Sequence, residues 1–308
     1  AKLSMSEKEL SARLESARQI LFKHREQRIH PSKDDKILTD WNGLMIAAQA
    51  KAGRALESSD YENSARKAAD FLLNTMRKPD GSLLHRYRNA DAAIPGNLDD
   101  YAFLTWGLIE LYQLTFDVSY LQNAIALTDY QIEHFWDDRQ GGFFFTADDS
   151  ENLLVRTREI YDAAVPSGNS VSALNLLRLA KFTANTSYVD RASQIASSFS
   201  NTLSSGPASA TLLMCALEFA FGASHEIVIV GNRESEDTRA MLEALNKINL
   251  PHAIVVLKSP ETAVEITKAA PYIEDFAQKD DHATAYVCRN FTCALPTDSV
   301  EEMLKLLE

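Results

Sequence analysis

Apolar positions along this chain fall into a repeating pair of patterns: a helix-length run apolar on nearly every side, then one apolar on a single face. Residues 42–57 are strong helix formers with few polar positions, which predicts a helix covered on most sides. Ser58-Ser59-Asp60 breaks that run. From Tyr61 to about Arg77, Ala65, Ala68, Ala69, Leu72, Leu73 and Met76 then recur at helical spacing with charges opposite, the pattern of a surface helix.

The pair returns twice. Asp99-Asp100 opens a nearly all-apolar helix to Phe116, followed by an amphipathic one from Tyr120 to about Trp136. Ser170–Phe182 and Tyr188–Leu203 make the third pair, and about Ser209 to Phe221 predicts a fourth inner-type helix. The outer helices begin alike, Tyr61 with Ala65, Tyr120 with Ala124, Tyr188 with Ala192. Short links within pairs imply antiparallel neighbours. A ring of such hairpins aims the starts of its inner helices at one shared mouth.

Ser6-x-x-Glu9 is a capping box that opens an earlier amphipathic helix carrying Leu10, Leu14, Ala17 and Leu21. An amphipathic helix is second in each pair, so its inner partner is expected upstream and the chain reads as part of a longer protein. Phe143–Thr146 is expected to form a small strand over the mouth. Beyond Phe221 the period changes: His225–Gly231, Ala253–Leu257 and Thr284–Cys288 read as strands alternating with helical stretches, the last beginning at Asp298. The prediction is a mainly α fold, an incomplete (α/α)6 toroid over residues 1–223, with a small α/β segment with a partly parallel sheet over residues 224–308 packed on it.

Charge narrows the function classes. Lys and Arg total 31 against 43 Asp and Glu, a net charge of −12, which opposes a phosphate-neutralising surface and argues against nucleic acid as a partner. Gln49, Lys51, Arg54, Glu110 and Arg178 interrupt the best apolar runs, so no membrane span is expected. Cys215, Cys288 and Cys293 are too few for a disulfide scaffold, which favours a reducing, cytoplasmic setting. Cys288 and Cys293, five positions apart, are read as packing near a sheet end, with a thiol role open; no metal and no cofactor is expected. Gly231-Asn232-Arg233-Glu234 lacks the spacing of a phosphate-cradling loop.

Four motifs carry a resemblance: Asp34 to Met45, Pro95 to Phe103, Tyr161 to Ser170, and Cys288-Arg289-Asn290-Phe291-Thr292-Cys293. Together they resemble the spermatogenesis-associated protein 20 (YyaL-type) family over essentially the full chain. The resemblance implies a thioredoxin-like domain followed by an (α/α)6 toroid of the six-hairpin glycosidase kind, this chain matching the C-terminal part. It therefore implies an upstream thioredoxin-like domain of the same longer chain as a partner, and a suspected sugar-related chemistry.

Glycoside hydrolysis needs one carboxyl group as acid and a second as base or nucleophile. Asp34, Asp35, Asp40, Asp99, Asp100, Glu159 and Asp162 all precede or open inner helices, where each could equally be an N-cap. Two adjacent acids at Asp99-Asp100 exceed what one cap requires. Asp100 is expected as general acid and Asp162 as base, with Asp35 in reserve. Trp41 and Tyr101 are expected as platforms for a sugar face. Asn42, Asp99, Tyr161 and Asn169 are expected to bind the substrate, a saccharide or another small molecule. His85 and Arg86 follow a Pro-Asp-Gly turn and suit a sugar epimerase or isomerase, in which His removes a proton near neutral pH. A third reading is a non-catalytic binding or scaffolding toroid serving the thioredoxin-like domain.

Overall fold

The structure, a computed structural model, describes residues 5–151 and 153–307. The chain divides into two compact units, the first ending at Lys36 and the second running from Ile37. The first holds helix α1 (Glu7–Glu26), which opens on the expected capping box of Ser6 and Glu9.

The second unit begins with a two-residue strand, β1 (Ile37–Leu38), leading directly into α2 (Thr39–Leu56). Its outer partner α3 (Ser59–Phe71) continues as a π-helical turn over Leu72–Met76. A hairpin of β2 (Leu84–Arg88) and β3 (Asp91–Pro95) follows, turning on Asn89 and Ala90, both at positive φ, as a tight hairpin turn of the primed type requires. Next come the pairs α4 (Leu98–Thr115) with α5 (Val118–Phe135), and α6 (Gly168–Thr183) with α7 (Thr186–Ser198). The short α8 (Ser200–Ser205) leads to α9 (Thr211–Phe221), the fourth inner helix.

The inner helices pack in sequence, α2 on α4, α4 on α6 and α6 on α9, while α3, α5 and α7 cover them from outside. Tyr101, Phe103, Leu104, Leu108 and Tyr112 of α4 are all buried, which accounts for a helix apolar on nearly every side. Where α2 meets α4 the backbones touch: a Cβ on Gly43 would sit 2.5 Å from Leu104 N, and one on Gly107 would sit 2.7 Å from Gly43 O. Glycine is the residue that permits this approach.

The α/β segment follows as β4 (His225–Val230), α10 (Glu236–Asn246), β5 (Ala253–Lys258), α11 (Ala263–Ala269), β6 (Thr284–Arg289), β7 (Thr292–Cys293) and α12 (Val300–Lys305). Its sheet runs β5-β4-β6-β7, with β4 parallel to β5 and antiparallel to β6. The fold is thus mainly α, an incomplete toroid of helical hairpins carrying a partly parallel α/β appendix.

Two local expectations change. Phe143–Thr146 forms no strand, only a single bridge from Phe143 to Trp136, because Asn169 takes the Phe143 N–H and donates to its carbonyl. Cys288 and Cys293, expected as packed thiols, face each other across the β6–β7 register and are joined by a disulfide. Spacing alone could not show that the two strands pair there.

Candidate active site at the inner-helix mouth

Helix α2 has no side-chain cap of its own, since its N-cap position is Leu38. The orphan amide of Asp40 instead donates to Asp100 Oδ1 at 2.9 Å, from sixty residues further along the chain. Asp100 is fully buried, and its other oxygen accepts the Asn97 N–H at 2.8 Å to close the start of α4. Neighbouring Asp99 accepts from the backbone of Gly168, the first residue of α6. Asp162 repeats the device, with Oδ1 on Ser167 N–H at 2.8 Å and Oδ2 on Leu212 N–H at 2.7 Å, the latter in the first turn of α9.

Each acid therefore serves amides at the start of a helix beyond its own, where unpaired N–H groups and the positive dipole end favour a carboxylate. The Asp99-Asp100 doublet caps helices on both sides of α4, which is why one residue does not suffice. Both oxygens of Asp162 are taken by backbone amides.

β1 brings the remaining group. Because Ile37 and Leu38 pair with Tyr87 and Arg86, the strand before α2 holds β2 against the mouth. His85 there lies with Nδ1 3.0 and 3.1 Å from the two oxygens of Asp100. This assigns Nδ1–H as donor and turns Nε2 away from the carboxylate. The hydrogen bond to Asp100 raises the affinity of His85 for its proton above the ordinary imidazole value, against the opposing effect of burial.

Asp40 and Asp99 complete the cluster. Burial, then the charge of Asp100, raises Asp40 above the usual carboxylate range, although Trp41 N–H donates to its Oδ1 at 2.7 Å. The same two causes, followed by Asp40, push Asp99 up to about 7. Several carboxylates share one half-buried place, and like charges there cannot all ionise cheaply. Asp40, His85 and Asp100 also present ligand atoms within 4.8 Å of one another, as do His134, Asp148 and Asp149. In the first trio the closest atoms already bond one another.

Other expected residues separate into two groups. Trp41 is 61% exposed and Tyr161 66% exposed, so both are open to a ligand. Tyr101 is buried instead, its hydroxyl accepting the Leu83 N–H at 2.7 Å and its ring stacked on Tyr130. Asn169 is a buried clamp between Phe143 and the Glu159 carbonyl, and Asn42 donates to the Leu38 carbonyl. Arg86 pairs with Asp91 across the hairpin. Asp35 lies in the first unit and is exposed there. The raised affinities of Asp40 and Asp99 were not readable in the sequence, since they arise from neighbours distant along the chain.

No protein-family model matches the chain. It is 32% identical to human spermatogenesis-associated protein 20 over 96% of its own length and 39% of that protein. An uncharacterised protein of Caenorhabditis elegans matches at 30% identity over 97% of this chain and 41% of its own. The chain thus spans about two fifths of the relatives it matches. Among solved structures, a family 76 glycoside hydrolase from Bacteroides thetaiotaomicron aligns over 55% of this chain and 36% of its own, at 21% identity and a TM-score of 0.46. A cellobiose 2-epimerase from Bacillus thermoamylovorans aligns over 54% and 45%, at 15% identity and a TM-score of 0.45.

Proposed function

Because this chain belongs to the spermatogenesis-associated protein 20 family over the part it covers, we propose that its mouth is the acid–base site of a carbohydrate-active enzyme of the glycosidase kind. The observation that carries the reading is an imidazole oriented by the buried carboxylate of Asp100, next to a second carboxyl group, Asp99. Asp100 holds His85 by Nδ1, and Asp99, at about 7, keeps its proton to neutral pH beside it.

In this reading Asp99 protonates the leaving oxygen of a glycosidic bond, and His85 Nε2 takes a proton from the attacking water. Asp100 orients the imidazole and stabilises its charged form. Asp40 adds negative charge where an oxocarbenium-like centre develops, and Trp41 and Tyr161 offer faces to a sugar ring. Asp162 holds the helix starts in place.

The same dyad favours a second reading, epimerisation or isomerisation, because a histidine fixed through Nδ1 is suited to removing a proton from carbon. Incubating the protein with saccharide pools in deuterated water separates the two by mass spectrometry. Hydrolysis yields new reducing ends with no deuterium on carbon; epimerisation yields isomers carrying it. A protein that changes no saccharide would leave only the scaffolding function.

A further inference from the structure

At the opposite ends of the same inner helices lies a chamber of about 380 Å³, walled by α2, α4, α6 and the loop between α10 and β5. Asp40 and Arg54 are fourteen residues apart on α2, so chamber and mouth stand about 20 Å apart along the helix.

The titratable side chains lining the chamber are three cations and one acid: Lys51, Arg54, Arg178 and Glu110. Glu110, only 3% exposed, directs Oε1 at Arg178 (2.8 Å), the Trp106 indole N–H (3.2 Å) and Lys51 (3.3 Å). Among the described residues the ion-pair partner of Oε2 is Arg54, at 4.0 Å, beyond hydrogen-bonding distance. Among the described residues Arg54 makes no hydrogen bond. Burial disfavours the ionised Glu110, but Arg178, then Lys51 and Arg54, hold it down to about 2. One carboxylate is thus ionised against three cations, leaving two positive charges uncompensated in a chain whose net charge is −12.

Packing accounts for part of this excess, since Lys51 Nζ lies 5.6 Å from the centre of the Trp106 ring. A cation in the last turn of a helix is favoured by the dipole, which explains Arg54 in α2. Lys51 and Arg178 stand more than a turn before the ends of α2 and α6, where that effect has faded. Arg178 is buried against Glu110, Arg54 is half-buried and Lys51 stands exposed at the rim, and the three converge on a cavity of the size that takes a small metabolite.

We propose that this chamber binds a small phosphate monoester, its phosphoryl group held by Arg54, Lys51 and Arg178 and its organic part against Trp106. A phosphoryl group carries nearly two negative charges at neutral pH and accepts forked hydrogen bonds from guanidinium groups. Trp106 and Leu174 supply an apolar wall beside the cations.

Isothermal titration of the intact protein with phenyl phosphate, inorganic phosphate and phenol tests this. Phenyl phosphate should bind at one site, more tightly than inorganic phosphate and less tightly as salt rises, while phenol should not bind. Arg54→Gln leaves the Arg178–Glu110 bond intact and should weaken phenyl phosphate at least about tenfold. Lys51→Gln should act likewise, and the ligand should raise the melting temperature of the wild type more than that of either variant. Circular dichroism and the ligand-free melting temperature verify that the variants fold. Absence of saturable phenyl phosphate binding in the wild type, or equal affinity in wild type and both folded variants, overturns the proposal.

Discussion

Asp99 has one role in the fold and, on the proposed function, another in the chemistry. Its bond to Gly168 belongs to the start of α6, while burial and the charges of Asp100 and Asp40 keep its proton on to about 7. A carboxyl whose folded value is raised binds its proton more tightly folded than unfolded, so stability falls as pH rises from about 4 to about 7 and is flat beyond. Asp99→Asn removes that cost and keeps an oxygen for Gly168. Thermal unfolding should therefore show Asp99→Asn more stable than wild type at about pH 8 and equal to it near pH 3.5. A gain of the same size at both pH values would mean that Asp99 titrates normally. The sequence displayed Asp99 and Asp100 side by side, but not that one faces α6 and the other α2, because hydrogen-bond partners sixty residues away leave no local signal.

At the scale of elements, the inner helices were legible because they are apolar all round and their outer partners are not. Their starts were less so. Asp40 reads as a cap but stands inside α2, capped from outside by Asp100, and at α4 the cap position is Asn97, whose N–H is accepted by Asp100. His85 and Arg86 read as residues following a turn, and they lie on the β2–β3 hairpin; the pairing of β1 with β2 that carries His85 to Asp100 could not be seen, since a two-residue strand has no periodicity. The contact of α2 with α4 gives a direct check on the ring. Gly43→Ala places a methyl group 2.5 Å from the α4 backbone, where no side chain can yield. Denaturant unfolding should show a loss of about 2–4 kcal/mol with an unchanged m-value. A neutral result would mean that the helices stand further apart.

For the whole molecule, the alternation of inner and outer helices followed by strands was sufficient to read the architecture, and the residue-level family resemblance agreed with it. What remained hidden was charge placement. Lys51, Arg54, Glu110 and Arg178 looked like interruptions of apolar runs, and folding turns those interruptions into one chamber. Among the described residues no helix is long and apolar enough to cross a membrane, as those same charges implied. On the proposed function the mouth performs acid–base chemistry on a saccharide with His85 and Asp99, while Asp162 is structural. The most direct test is the rate of saccharide conversion by wild type, His85→Gln, Asp99→Asn and Asp162→Asn, each verified as folded. The expected result is turnover by the wild type, a loss of about 10²–10⁴-fold in each of the first two variants, and near wild-type turnover in the third. Full activity in Asp99→Asn or His85→Gln, or no conversion by the wild type, would contradict it.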